Sequence, residues 1–314
     1  MKRVIAVTGA HGFLGNALCM QMVKEGLNVR PLVRSSFPGD QYHMSIGNIG
    51  PLTDWSKALD GVDSIVHCAA RAHIMNEQIR DSQRAYHLVN AQGTINLARQ
   101  AADAGLRRFI FISSVKVNGE STLDGRPFRP DDEVGPSDPY GVSKYEAELA
   151  LQHLGKTSSM EVVIIRPPLV YGPKVRANFA ALMEAVSRGL PLPLGSVNNQ
   201  RSFISLDNLM NFIILCIDHP LAASEIFLVS DGHDLSTPEL VRLMAQVVGV
   251  KSRLFSIHPL LLKVCATLFK RQALMQRLCS NLQLDISKSH ERLGWMPPIT
   301  VEEGLRRAFL TVDY

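Results

Sequence analysis

Thr8-Gly9-Ala10-His11-Gly12-Phe13-Leu14-Gly15 constrains this chain more than any other stretch. Three glycines, each three residues from the next, join an apolar β-branched run, Val4–Thr8, to a segment with helical spacing, Phe13–Lys24. A strand that turns on glycine into a helix lets the backbone approach a diphosphate, whose charge the helix N-terminus favours. The spacing is GxxGxxG, not the GxGxxG dinucleotide fingerprint, and glycine triplets alone are a weak sign. Their place between a strand and a helix carries the expectation. Lys2 and Arg3 before an apolar run also resemble the start of a secretion signal. Gly9, His11, Gly12 and Gly15 interrupt that run, which a signal core rarely tolerates.

The pattern continues as alternating strands and helices. Strands are expected at Asn28–Val33, 64–67, Arg108–Ile112 and 162–165, and helices at 53–59, 82–104 and 140–154. Such alternation requires right-handed crossovers and a parallel sheet covered on both faces, an α/β doubly wound sheet of Rossmann type. Beyond Pro168 the pattern loosens, with helices expected at 178–188, 207–218, 237–248 and Val301–Phe309 and short strands near Phe203 and Phe227. Residues 1–168 are therefore assigned to a dinucleotide-binding domain. Residues 169–314 are assigned mainly to a smaller, partly discontinuous substrate-binding lobe, with some segments returning to the sheet.

Composition narrows the function classes. A 46% hydrophobic and 20% charged chain suits a soluble globular protein, and a net charge of +4 without a Lys/Arg block argues against nucleic acid as a partner. Five scattered cysteines without a CxxC pair argue against a disulfide framework and against zinc, so no metal is expected and a reducing cytoplasm is. Cys68 and Cys216 sit in apolar runs and read as small buried hydrophobes. No stretch is long and apolar enough to span a bilayer, so no membrane partner is expected. Residues 260–269 are apolar but short and include Lys263, which suggests a buried or surface-docked helix.

The second strand ends Leu32-Val33-Arg34-Ser35-Ser36, with no acid before Asp40. An acid there would bond the ribose 2′-hydroxyl of NAD, whereas an arginine accommodates a 2′-phosphate. Arg34 with Ser35 therefore points to NADP(H) as the preferred cofactor, with NAD(H) as the other. Tyr140 and Lys144 stand four residues apart on an expected helix and project from one face. A neighbouring ammonium stabilises a phenolate, so Lys144 is expected to lower the Tyr140 pKa for general acid–base work. Ser114 ends a strand beside that helix, where its hydroxyl can hold the reacting oxygen.

Further motifs join these: His67-Cys68-Ala69-Ala70; Asn90 with Gly93-Thr94; Ser113-Ser114; Asp138-Pro139-Tyr140-Gly141-Val142-Ser143-Lys144; Arg166-Pro167-Pro168-Leu169-Val170-Tyr171-Gly172-Pro173; and Arg201-Ser202-Phe203-Ile204 before Asp207. In these, over nearly its whole length, the chain resembles the extended short-chain dehydrogenase/reductases that act on nucleotide sugars. The resemblance implies Ser114, Tyr140 and Lys144 as the catalytic trio, with Lys144 also touching the nicotinamide ribose. It implies Gly9, Gly12 and Gly15 at the cofactor pyrophosphate, with His11, Phe13 and Leu14 in the same turn. Arg34, Ser35, Asn48, Ile49, Ala69, Ala70 and Asn90 would complete the cofactor site, with Pro167 near the nicotinamide. Asn178, Arg201 and Arg277 match positions that hold nucleotide-sugar phosphates, and Lys116 and Asn118 are further substrate-binding candidates.

The departures also matter. Val117-Asn118-Gly119 stands where epimerases of the family often have Val-Tyr-Gly, and Asn48 stands where an acid is usual. The Ser-Ser-Val-Lys-Val-Asn-Gly-Glu segment resembles a bacterial subgroup linked to surface-polysaccharide sugars. From it the first expectation is NADPH-dependent reduction of a UDP-linked 4-keto-6-deoxy (amino) sugar at C4. The alternative is an NAD-dependent UDP-sugar 4-epimerase, and a third reading is a non-catalytic dinucleotide-binding sensor. The resemblance also implies a homodimer, whose partner ligand is a UDP-linked or other nucleotide-linked sugar.

Overall fold

The computed structural model describes residues 3–37, 39–71, 79–257 and 272–310. Its main sheet takes β1 (Val4–Thr8), β2 (Asn28–Val33), β3 (Met44–Ser45), β4 (Val62–His67), β5 (Arg108–Ile112), β6 (Glu161–Arg166) and β9 (Ile226–Leu228). Their order is β3-β2-β1-β4-β5-β6-β9, and every pairing is parallel. The chain runs from β1 outward through β2 to β3, then crosses back to place β4 on the other side of β1. The carboxyl ends of β1 and β4 therefore flank the point where the winding reverses, which is where ligands enter such sheets.

Helices cover both faces because the strands are apolar on both. On β5, Phe109 and Phe111 point to one face and pack with Leu97 and Ala101 of α4 (Gly93–Asp103) and Ala147 and Leu151 of α5 (Pro139–Thr157). Ile110 and Ile112 point to the other face and share a core with Leu18 and Met22 of α1 (Phe13–Lys24) and Phe212 and Ile213 of α7 (Leu206–Asp218). This two-residue period, apolar on each side, is what a parallel strand buried on both faces requires. A separate core joins the two-stranded parallel sheet of β7 (Leu169–Tyr171) and β8 (Phe203–Ser205) to α6 (Ala177–Ser187), α8 (Thr237–Val247) and the helix Val301–Phe309. Residues after Pro168 thus divide between the two cores, with α7 and β9 belonging to the main sheet.

Three expectations change locally. The short helix α2 (Ser56–Leu59) does not begin at 53, because the Thr53 hydroxyl is taken up by the Gly50 amide and the Asn48 carbonyl. The long helix expected over 82–104 is α3 (Ile79–Tyr86) continued by a π-helical turn, His87–Gln92, before α4. The short strands β3 and β7 were not expected. The apolar stretch 260–269 lies outside the described residues. Helix α5 starts where the sequence suggests, capped by the Asp138 carboxylate, which accepts the Gly141 amide at 2.6 Å, with Pro139 in its first turn.

Candidate active site

At the end of β1, Gly9 has φ +68°, and a methyl group on it would lie 2.9 Å from the Ala69 Cα. A methyl on Gly15 would fall 2.3 Å from the Gly9 carbonyl oxygen. The Gly12 amide donates to that same oxygen at 2.7 Å and closes the turn, and Gly12 begins α1 without any side-chain cap. Side-chain-free walls and an uncapped helix N-terminus form a cradle suited to a diphosphate. The cradle opens into a cavity of about 720 Å³, lined by Gly9, His11 and Gly12, by Arg34 and Ser35, by Asn48 and Ile49, and by Ala69 and Ala70. No carboxylate lines it among the described residues, while Arg34 and Arg71 do. These observations fit a bound NAD(P).

Beneath this cradle His67 is fully buried, bonding the Thr8 hydroxyl at 2.7 Å and the Thr94 hydroxyl at 2.9 Å. Thr8 in turn accepts the Ala69 amide at 3.1 Å, which ties the ends of β1 and β4 together. Burial, and then the nearby Lys144 charge, push the His67 pKa down to about 3, so the ring is neutral. At the rim, the His43 ring bonds Asp40 at 2.8 Å and lies 4.7 Å from the His11 ring. The ligand atoms of these three side chains lie within 4.8 Å of one another, the one such grouping found among the described residues.

A second cavity, about 490 Å³, is lined by Ser114, Lys116, Gly119, Tyr140, Pro168, Arg201, Gln276 and Ser280, among others. Ser114 ends β5's extension, and Tyr140 sits in the first turn of α5. One turn later Lys144 is buried, its ammonium donating to the Ile112 carbonyl at 2.8 Å and standing 4.4 Å from the Phe111 ring centre. It lies 6.0 Å from the Tyr140 ring centre. Burial pushes the Lys144 pKa down to about 8, against smaller opposing effects of Cys68 and Glu148. Lys144 thus stands electrostatically next to Cys68 of the first cavity and one helical turn from Tyr140 of the second.

The expected acidification of Tyr140 is not found. Its pKa is raised, first by burial and then by the charges of Asp138 and of Tyr86, whose ring is 6.0 Å away. Removing a phenolate from water costs more than an ammonium committed to Ile112 returns.

Residues 5–230 match the NAD dependent epimerase/dehydratase family. The chain belongs to this family. The UDP-glucose 4-epimerase of Vibrio cholerae is 47% identical over 319 residues, which take in 100% of this chain and 97% of that protein. The GDP-6-deoxy-D-mannose reductase of Pseudomonas aeruginosa is 25% identical over 98% of this chain and 96% of its own. Among solved structures, the UDP-glucuronic acid 4-epimerase of Bacillus cereus in complex with UDP-glucuronic acid and NAD superposes with a TM-score of 0.78 at 22% identity, covering 98% of each chain. The chain is thus an extended short-chain dehydrogenase/reductase, a family of enzymes that includes nucleotide-sugar epimerases and reductases.

In this epimerase/dehydratase-family chain, nine of the expected cofactor residues line the first cavity: Gly9, His11, Gly12, Arg34, Ser35, Asn48, Ile49, Ala69 and Ala70. Others act at a distance from it. Gly15 packs on the Gly9 carbonyl, and Phe13 and Leu14 pack against the core of the main sheet. Asn90 binds the backbone of Arg71 in both directions and the Ser143 hydroxyl, linking the loop after β4 to α5. The Pro167 carbonyl accepts the Val115 amide and steadies the serine turn, while Pro168 is the proline that lines the second cavity.

Of the substrate candidates, Lys116 and Arg201 line the second cavity. Lys116 pairs with Asp138 and with Glu120, and Arg201 donates to the Ser280 carbonyl at 2.8 Å. Asn118 is buried, bonded to the Arg166 guanidinium and the Arg129 carbonyl, and does not line the cavity. Asn178 is exposed on α6 and does not line it either. The side chain of Arg277 lies outside the described residues. Gln276, Ser280 and Leu282 were missed: in that segment the sequence marked Arg277 alone, and the return of the chain to the cavity brings its neighbours in.

Proposed function

We propose that this enzyme inverts the C4 configuration of a UDP-linked sugar, using a retained NAD(P). The observation that carries the reading is 47% identity, end to end, with a UDP-glucose 4-epimerase. The sequence alone put reduction first, on Arg34 and one short loop; identity over the whole chain outweighs them. In the proposed cycle, Ser114 and Tyr140 hold the C4 oxygen, and Tyr140 takes its proton and later returns it to the keto intermediate. A dinucleotide whose diphosphate is held by the glycine cradle would supply, through its nicotinamide, the hydride acceptor and donor. Lys144, one helical turn from Tyr140, would act from the cofactor side, and Arg201, which lines the second cavity together with Lys116, would meet the sugar-nucleotide phosphates. To take that proton from the C4 oxygen Tyr140 must enter the cycle as the phenolate, its own proton given up to solvent, and burial opposes that ionisation, so abstraction is the harder transfer.

A second reading is NADPH-dependent reduction of a UDP-linked 4-keto-6-deoxy (amino) sugar at C4. Two observations favour it: Arg34 with Ser35 in a cavity lined by no carboxylate among the described residues, and a phenol already holding the proton it would donate. One experiment separates the readings. The protein is incubated with UDP-hexoses alone, and with 4-keto UDP-sugars plus NADPH, and followed by NMR and nicotinamide absorbance. C4 epimers without net absorbance change support the proposal. Stoichiometric NADPH consumption without epimerisation replaces it by the second reading.

Two further features complete the proposal. A homodimer through α4 and α5 would cover exposed Leu149, which is 48% accessible. A cytoplasmic setting suits the free thiols of Cys19, Cys68, Cys216 and Cys279. No described helix is long and apolar enough to cross a membrane.

A further inference from the structure

Behind the second cavity lies a charged group that the proposed chemistry does not use. The Glu148 carboxylate and the Arg166 guanidinium are both almost wholly buried and meet at 2.6 Å, with further bonds at 3.0 and 3.2 Å. Arg166 also donates to the Asn118 side chain at 3.1 Å and the Pro130 carbonyl at 3.3 Å. Glu148 accepts the Ser113 hydroxyl at 2.5 Å. One ion pair therefore joins the end of β5, the turn after Ser114, helix α5 and the end of β6. Those segments carry Ser114, Lys116, Tyr140, Lys144 and Pro167.

Stability alone is a poor account of this pair. Two buried charges lose much of their attraction to desolvation, and apolar side chains of similar size hold elements together at least as well. A charge, unlike a methyl group, acts on its neighbours' protons. Lys144 is one helical turn before Glu148 on the same helix. The titratable groups that bear on Lys144 are His67 and Cys68 from the end of β4 and Tyr140 and Glu148 from α5, beside the Ile112 carbonyl and the Phe111 ring. His67 is neutral there, and burial drives the Cys68 thiol pKa up. Glu148 is the one carboxylate in that set.

We infer that Glu148, locked in place by Arg166, is a positioning residue for the proton-transfer site: it keeps Lys144 charged and holds Ser113, hence Ser114, in register with Tyr140. The inference rests on the reading that Ser114, Tyr140 and Lys144 carry the reaction. Glu148 touches no substrate and acts through its neighbours.

The test is Glu148→Gln in the full chain, with the lysine side chains labelled with carbon-13. NMR reads the Lys144 titration directly, and Lys144→Met assigns the signal. The wild-type midpoint is expected near the value of about 8 set by burial. In Glu148→Gln it should fall by about one pH unit, an about tenfold weaker hold on the proton. The alkaline limb of kcat should move the same way while cofactor affinity stays within about twofold. A folded Glu148→Gln protein with an unmoved Lys144 titration overturns the inference, whatever happens to its melting temperature. Wild-type protein that turns over no nucleotide sugar, yet shows the Lys144 shift in the variant, upholds the coupling and refutes the proposed reaction instead. Should Glu148→Gln fail to fold, Ser113→Ala leaves both charges in place. It should lower kcat by about tenfold at unchanged cofactor affinity, and full activity in that variant overturns the positioning role.

Discussion

Gly15→Ala adds one methyl group to helix α1 at the point where it crosses the turn. That carbon would lie 2.3 Å from the Gly9 carbonyl oxygen and 2.8 Å from the Gly9 carbonyl carbon, both backbone atoms that no side-chain rotation can move. An ordinary carbon–oxygen approach is about 3.3 Å, so the turn and the helix must part by about 1 Å. Overfilling of this kind costs about 1–3 kcal/mol. The displacement falls on the atoms that would hold the diphosphate, since Gly9 and Gly12 move relative to the first turn of α1. If that cost is borne on binding, dinucleotide affinity falls by about 10- to 100-fold. Fluorescence titration with NADPH and with NAD measures it, and circular dichroism follows the fold. Gly26→Ala is the control. Gly26 has φ +78° with nothing within 4 Å of its would-be methyl, so the variant carries backbone strain of about 1–2 kcal/mol and no clash. It should melt earlier and bind dinucleotide normally. A Gly15→Ala protein that binds both cofactors as tightly as the wild type would refute the cradle.

Tyr140→Phe should lose turnover in either reading and keep cofactor affinity, since the phenol lines the second cavity and not the first; an active variant removes the proton-transfer assignment. Arg34→Glu should weaken NADPH relative to NAD by about tenfold at low salt and by less at high salt, because Arg34 is exposed; an unchanged ratio would dissociate Arg34 from cofactor choice. His67 gives a pH signature. Its folded pKa is about 3 against an ordinary 6.5, so the unfolded chain takes up the proton first as pH falls. Folding stability should therefore drop from about pH 6.5 downward, by up to about 1.4 kcal/mol per pH unit, and level off below about pH 3. Thermal melts of His67→Asn should show a flatter acid limb; an identical limb would assign the loss to other groups.

How far the sequence could be read followed the range of the forces involved. The bounds of β1, α1, β2, β5 and the helix Val301–Phe309 were legible because apolar period and glycine stops act within a few residues. The two-residue β3 and the three-residue β7, which follows directly on the Pro167-Pro168 stop, were not marked by their own residues and exist through their pairing with β2 and β8. The π turn at His87–Gln92 leaves no local mark either. Asn118 looked like a substrate contact because its motif did; in the folded chain the Arg166 guanidinium claims it.

From its order of residues alone, the chain determined a glycine turn between strand and helix, the parallel sheet that follows, and a phenol and an amine on one helical face. These follow from backbone geometry and spacing, which neighbours along the chain set. Only the tertiary structure decided which way Tyr140 holds its proton, that Lys144 is buried beside a neutral His67, and that Gln276 and Ser280 line the second cavity. The energy of a charge depends on everything that replaces water around it, and that is assembled from segments more than a hundred residues apart.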